Sequence, residues 1–174
     1  MTDFRYATTA DVAEIVPLVE SAYRGDASRK GWTTEADLLD GQRVDADGVR
    51  ELITKADSRV IIALRAGVII GCVHVERSGD SGYFGMFSVS PTLQGAGVGD
   101  ALLREAERVV CDDFACTRMT CTVIPLRHEL IAWYGRRGYH ATGEFKPFPY
   151  GDERFGKPKR DDLNFEVFIK DLRT

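Results

Sequence analysis

The sequence predicts an α+β fold, and three observations carry the prediction. A short β run followed by an amphipathic helical pattern opens the chain. Three β-rich runs joined by tight turns fill the middle. A strand–helix–strand–helix–strand alternation closes it.

The elements follow in order. FRYA (4–7) is a short strand, and TTADVAEIVPLVESAY (8–23) is a helix with a Thr/Asp start signal and Val12, Ile15, Val16 and Val19 at helical spacing. RGDASRKGWTT (24–34) is a polar, glycine-punctuated loop. TEADLLDG (34–41) and DADGVRELITKA (45–56) predict two short helices, the second with an acidic start. Residues 58–90 are β-branched and apolar, broken at Arg65-Ala66-Gly67 and Ser78-Gly79-Asp80, which is the pattern of a meander of hairpins. VGDALLREAERVVCDDF (98–114) has strong helical periodicity, CTRMTCTVI (116–124) is a strand, and PLRHELIAWYGRR (125–137) is a helix with Pro125 near its start. GYHATGEF (138–145) and LNFEVFIK (163–170) are the last strands, separated by a Pro/Gly-rich connection. With no repeat, low-complexity tract or linker, residues 1–174 are expected to form one domain.

Composition narrows the function. The chain has 174 residues, 44% hydrophobic and 29% charged, enough to bury roughly 70% of its unfolded surface. Its 23 basic residues face 27 acidic ones, a net charge of −4, which argues against nucleic acid or an anionic membrane as the main partner. The same balance mildly disfavours a negatively charged substrate. No apolar run approaches the ~20 residues of a membrane span, and nothing at the N-terminus resembles a signal peptide, so a cytoplasmic location is expected. Cys72, Cys111, Cys116 and Cys121 lack zinc-site spacing and are expected to be reduced; three scattered histidines give no metal site.

Gly95, Gly97 and Gly99 stand at alternate positions between a strand and a helix. Glycine admits positive φ and lets a ligand approach the backbone. A helix opened this way offers unpaired N–H groups and the positive end of its dipole, a cradle for phosphate or pyrophosphate. The stretch is not a P-loop, because Asp100-Ala101 follow Gly99 where Lys and Ser/Thr are needed. Nor is it a dinucleotide fingerprint, whose third glycine comes one residue later and whose acidic partner is replaced here by Met119 and Thr120.

Gln94-Gly95-Ala96-Gly97-Val98-Gly99, preceded by Val-Ser-Pro and followed by a Leu-rich helix, resembles the acyl-CoA loop of the GNAT superfamily of N-acetyltransferases, Gln/Arg-x-x-Gly-x-Gly/Ala. Trp133-Tyr134-Gly135-Arg136-Arg137-Gly138-Tyr139 is similar to the family's Tyr-x-x-x-Gly-aromatic segment. The resemblance extends across nearly the whole chain. It implies a mixed, largely antiparallel sheet of about seven strands flanked by about four helices, and transfer of acetyl from acetyl-CoA to an amine, without a metal. It implies that the backbone of Gln94, Gly95, Ala96, Gly97, Val98, Gly99 and Asp100 holds the pyrophosphate. Phe87, Ser88 and Val89 would meet the pantetheine arm, with a backbone N–H near Val89 polarising the thioester carbonyl. Tyr134 is implied as the acid that protonates the leaving thiolate. Arg127 replaces the family's usual Asn and is expected at the cofactor, the acceptor or a surface acid.

For the proton on the amine, the candidates are Glu35, His74, Glu76, Glu144 and ordered water; His74 and Glu76 share strand parity. The family walls its acceptor pocket with the segment after the first helix and with the last hairpin. This implies Tyr23, Trp32, Phe148 and Tyr150 as an aromatic wall, with Glu35 and Asp37 attracting a cationic amine. The acceptor is expected to be a small-molecule or protein amine, and a homodimer is left open. A non-catalytic CoA-binding module of the same fold is the alternative.

Overall fold

The computed structural model describes residues 1–173. A seven-stranded sheet runs in the order β1 (Asp3–Tyr6), β3 (Ser58–Arg65), β4 (Val68–Ser78), β5 (Ser81–Val89), β6 (Arg118–Val123), β9 (Asn164–Asp171), β7 (His140–Pro147). All neighbours are antiparallel except β5 and β6. The helices are α1 (Val12–Tyr23), α2 (Gly25–Ser28), α3 (Ala46–Thr54), α4 (Val98–Asp112) and α5 (His128–Arg136).

Strand periodicity divides the core. On β3, Val60 and Ile62 face Ile15 and Val19 of α1 and Val49 of α3, whereas Ile61 and Ala63 join Leu102, Ala106 and Val109 of α4 on the other side. One strand thus feeds two apolar layers, so its sequence reads as continuously hydrophobic. The β3–β4 hairpin closes through Ala66 and Gly67, both at positive φ (51° and 77°), the geometry that matches strand twist in a two-residue turn.

The segment 34–41 departs from the expected helix. It makes one turn, with the Leu38 and Leu39 amides donating to Glu35 O at 2.9 Å, and then a short strand β2 (Leu39–Asp40) paired with β8 (Lys157–Pro158). Leu39 is buried against Ile124, Phe148 and Leu163. That packing and the burial of Glu35 override local helical spacing. The loop read at 24–34 instead holds the single turn α2.

Two irregularities shape the centre of the sheet. β5 and β6 pair only at Ser81, Gly82 and Tyr83, so the strands part beyond Tyr83. On the other edge, Cys72 pairs with Ser88 and His74 with Gly85, leaving two β5 residues opposite Val73, and Met86 adopts φ 51°. This is a β-bulge, which bends the strand and re-aims its peptides.

Candidate active site

The parting of β5 and β6 opens two cavities that share Phe87 and Leu130 as lining residues. The first, about 560 Å³, is bounded by Trp32, Val89, the glycine loop and Trp133. The second, about 730 Å³, is bounded by Tyr23, Glu35, Arg43, His74 and Tyr134, among others.

At the first cavity, Gly95 and Gly97 both adopt φ 85°, and Gly97 caps α4. A Cβ on either would meet nothing within 4 Å, so each faces open space. Among the described residues, the amides of Gly95, Gly97, Val98, Gly99 and Asp100 have no protein acceptor; the first ladder bond of α4 is Ala101 N–H to Gly97 O at 3.1 Å. Five unpaired donors at a helix start make an anion cradle. The Asp100 carboxylate is engaged by Arg104 and by Arg137 Nε (2.9 Å). Arg137 also lies 3.6 Å from the Trp133 ring centre. The side chain of Val98 is buried in the core and that of Ser88 bonds Met86 O, so neither side chain lines a cavity; Ala96 also stays off both walls.

Gln94 is a brace. Its Oε1 accepts from Trp32 N–H (2.8 Å) and Thr33 N–H (3.3 Å), and its Nε2 donates to Thr33 Oγ1 (2.7 Å) and Val89 O (3.1 Å). It thereby ties the segment after α1 to β5 and the glycine loop. Ser90 N–H bonds Ile70 O across the sheet at 2.9 Å, so strand alternation turns the Val89 peptide the other way, into the gap.

Trp32, expected on the acceptor wall, lies in the glycine-loop cavity, its ring 6.2 Å from that of Trp133. Arg127 goes the opposite way. It lines the second cavity, bonding Glu35 Oε2 at 2.9 Å and Thr33 O at 2.6 Å. Arg24 takes the other Glu35 oxygen at 2.6 Å. Burial pushes the Glu35 carboxyl up, but the charges of Arg127, Arg24 and Arg43 outweigh it and hold the group below its ordinary value. Glu35 is therefore a saturated counter-ion, poorly suited to accept a proton. Asp37 is exposed and paired with Arg29 at 2.8 Å.

Tyr134 is buried among the rings of Phe84 (5.6 Å), Trp133 (5.4 Å) and Tyr139 (5.8 Å). Its hydroxyl has no hydrogen-bond partner among the described residues although the residue lines the second cavity. Burial raises its pKa well above 10, with Arg127 opposing only in part, so the proton stays on at neutral pH. Tyr23 donates its hydroxyl to Phe87 O at 2.5 Å and lines the same cavity. Phe148 is on that wall too. Tyr150 is not; its hydroxyl donates to Arg160 O (3.0 Å), accepts from Leu163 N–H (2.8 Å), and braces the loop behind Phe148.

His74 and Glu76 line the second cavity together. His74 Nε2 is 2.9 Å from Ser58 Oγ, and burial lowers its pKa to about 4. Glu76 is paired with Lys55, and Glu144 lies on exposed β7 away from both cavities. The sequence reading missed Trp133, Arg136 and Arg137 on the first cavity and Arg24 and Arg43 on the second. The first three lie in the same WYGRR stretch as Tyr134, a signal at hand; the arginines of 24–43 carry none.

Comparison with known proteins agrees with this architecture. The IAA acetyltransferase of Azospirillum brasilense is 25% identical over 103 residues, 56% of this chain and 65% of that protein. Among solved structures, an N-acetyltransferase from Staphylococcus aureus Mu50 superposes with a TM-score of 0.74 at 11% identity, over 99% of this chain and 98% of the other. The ribosomal-protein-S18-alanine N-acetyltransferase of Escherichia coli gives 0.72 at 11% identity, over 100% and 96%. These structural likenesses establish the fold. The profile of the acetyltransferase (GNAT) family matches residues 18–139, a span that takes in the brace, the glycine loop and Tyr134, and the chain belongs to that family.

Proposed function

We propose that the protein transfers an acetyl group from acetyl-CoA to an amine. The observation that carries this reading is the meeting of two unlike cavities at Phe87 and Leu130, one lined by free backbone amides and the other by an unpartnered tyrosine hydroxyl. Acetyl-CoA supplies an activated thioester. The amides of Gly95, Gly97, Val98, Gly99 and Asp100 donate to its pyrophosphate with the α4 dipole behind them. Arg136, exposed at that cavity without a carboxylate partner among the described residues, adds a cation for phosphate. The open edge of Phe87–Val89 takes the pantetheine amides as an added strand would, and Trp32, Trp133 and Phe87 exclude water there. Val89 N–H polarises the thioester carbonyl.

The amine comes from the second cavity. Its nitrogen bonds the carbonyl carbon as the carbon–sulfur bond breaks, and Tyr134 gives its proton to the sulfur. An arriving ammonium first loses one proton to water. A second leaves nitrogen as the amide forms and replaces the one Tyr134 gave, so the tyrosine ends neutral. Water suits this task because Glu35 is saturated, Glu76 is paired and His74 is a weak base. The test is thiol release from acetyl-CoA across a panel of small amines and peptide N-termini. Release with an acceptor and not without one is expected; binding without release from any acceptor favours a non-catalytic module.

A further inference from the structure

The second cavity has a charge pattern that its sequence did not suggest. Three guanidiniums, Arg24, Arg43 and Arg127, gather around one carboxylate, Glu35. Arg24 and Arg127 share that carboxylate, and Arg154, the fourth lining cation, pairs with Asp152 at 2.7 Å. Arg43 has no ion pair and no side-chain hydrogen bond among the described residues; its guanidinium carbon stands 5.3 Å from the Tyr23 ring centre. Arg127 stands 5.6 Å from the same ring. Arg24 Nε, in a side chain only 5% exposed, is buried with no partner among the described residues.

Among the described residues, none of the other acids lining the cavity pairs with Arg43. Asp45 caps the Gly48 amide at 2.7 Å, Asp47 pairs with Arg50 at 3.0 Å and Glu76 pairs with Lys55. Glu51 is exposed on α3 at the mouth. Arg43 also lies near enough to lower the Tyr23 and Tyr83 hydroxyls and the His74 imidazole, each shifted mainly by burial, so its charge is felt across the cavity floor. A guanidinium held on an aromatic face with its donors free is built for a planar oxyanion.

We infer that the acceptor is an amine that carries a carboxylate, an amino acid rather than a bare amine, with the carboxylate seated on Arg43. This rests on the acetyl-transfer reading and adds the substrate class to it. It also reverses the charge expectation from composition, because the local field of the floor and not the net −4 governs what enters.

The test is a panel of amino acids, each beside its decarboxylated amine, scored by thiol release from acetyl-CoA and by thermal shift in the presence of CoA. Carboxylate-bearing members are expected to be used at least 10-fold better than their matched amines. Arg43→Ala should reduce that preference by about 10- to 100-fold, the range for a charge-assisted hydrogen bond, with Arg43→Lys recovering part of it and acetyl-CoA affinity unchanged in both. Equal or better use of the bare amines overturns the inference and leaves acetyl transfer standing, as does a preference that survives in Arg43→Ala. A panel in which no carboxylate-bearing amine releases thiol or shifts melting also overturns it. Failure of acetyl-CoA itself to bind overturns the underlying reading, which the affinity measurement reports separately.

Discussion

Tyr134→Phe isolates one hydroxyl. The ring keeps its contacts with Phe84, Trp133 and Tyr139, and the lost oxygen leaves no protein group unpaired because none among the described residues bonds to it. Stability should therefore change by less than about 1 kcal/mol, the scale of a net hydrogen bond, and acetyl-CoA affinity should hold. The rate should not. A positioned acid contributes about 10²–10⁴-fold, equivalent to about 3–5 kcal/mol of barrier, so kcat should fall by that factor with KM for acetyl-CoA nearly constant. The assay is thiol release at saturating acceptor, run from pH 6 to 10 beside a melting curve and a direct titration with acetyl-CoA. Burial holds the tyrosine proton beyond the ordinary value of 10. Any basic limb below pH 10 in the wild type should then belong to another group and persist in the variant. A kcat within about threefold of wild type would refute the acid role, and a parallel loss of acetyl-CoA affinity would make Tyr134 a positioning residue.

Other outcomes follow from the same geometry. Trp32→Ala should weaken acetyl-CoA binding more than acceptor binding, since Trp32 lies over Trp133 beside the glycine loop; a purely acceptor-side effect measured by titration contradicts that placement. Gln94→Ala strips acceptors from the Trp32 and Thr33 amides and should cost about 1–3 kcal/mol in denaturant melts as well as affinity for acetyl-CoA. Asp11, held to about 2 by two 2.9 Å bonds from Arg5 against the cost of burial, should stabilise the fold above the unfolded carboxylate value near 4, with the gain lost as pH falls from there through about 2. Allowing for half-exposed Arg5, Asp11→Asn should cost about 1–2 kcal/mol at pH 7 and little at pH 2. His74 works with the opposite proton count. It stays neutral when folded down to about 4 and protonates near 6.5 when unfolded, so stability should climb from pH 4 to 6.5, with a shallower climb in His74→Gln.

Much of the sheet was legible because β-branched runs are long and their turns carry glycine. Residues 58–90 announce a meander, and α1 and α4 show their buried faces at helical spacing. The glycine loop was legible for a chemical reason, since Gly95 and Gly97 serve a positive-φ backbone at the start of α4. Segment 34–41 was misread because its shape is set from outside. Glu35 answers to Arg24 and Arg127, and Leu39 to Ile124, Phe148 and Leu163, none of which is local. The bulge at Met86 has no signal, because a methionine at positive φ is imposed by the surrounding sheet. The same holds for the side of the gap on which a residue falls. Trp32, expected on the acceptor wall, lines the glycine-loop cavity, and Arg127, whose place the sequence left open, lines the other, because only the three-dimensional path of the segment after α1 decides it. Arg43 was invisible, since an unpaired arginine is recognised only by the partners it lacks.

The central claim is that the glycine loop holds acetyl-CoA, and a calorimetric titration of acetyl-CoA into wild type and Gly97→Val tests it most directly. Gly97 sits at φ 85° facing open space, so valine strains the backbone and fills the cradle while packing against nothing. Wild type should bind one equivalent saturably, with a parallel rise in melting temperature worth about 2.7 kcal/mol at a hundredfold excess over Kd, and the variant should lose both while remaining folded. No heat from wild type at millimolar acetyl-CoA, or equal binding by the variant, would contradict the account.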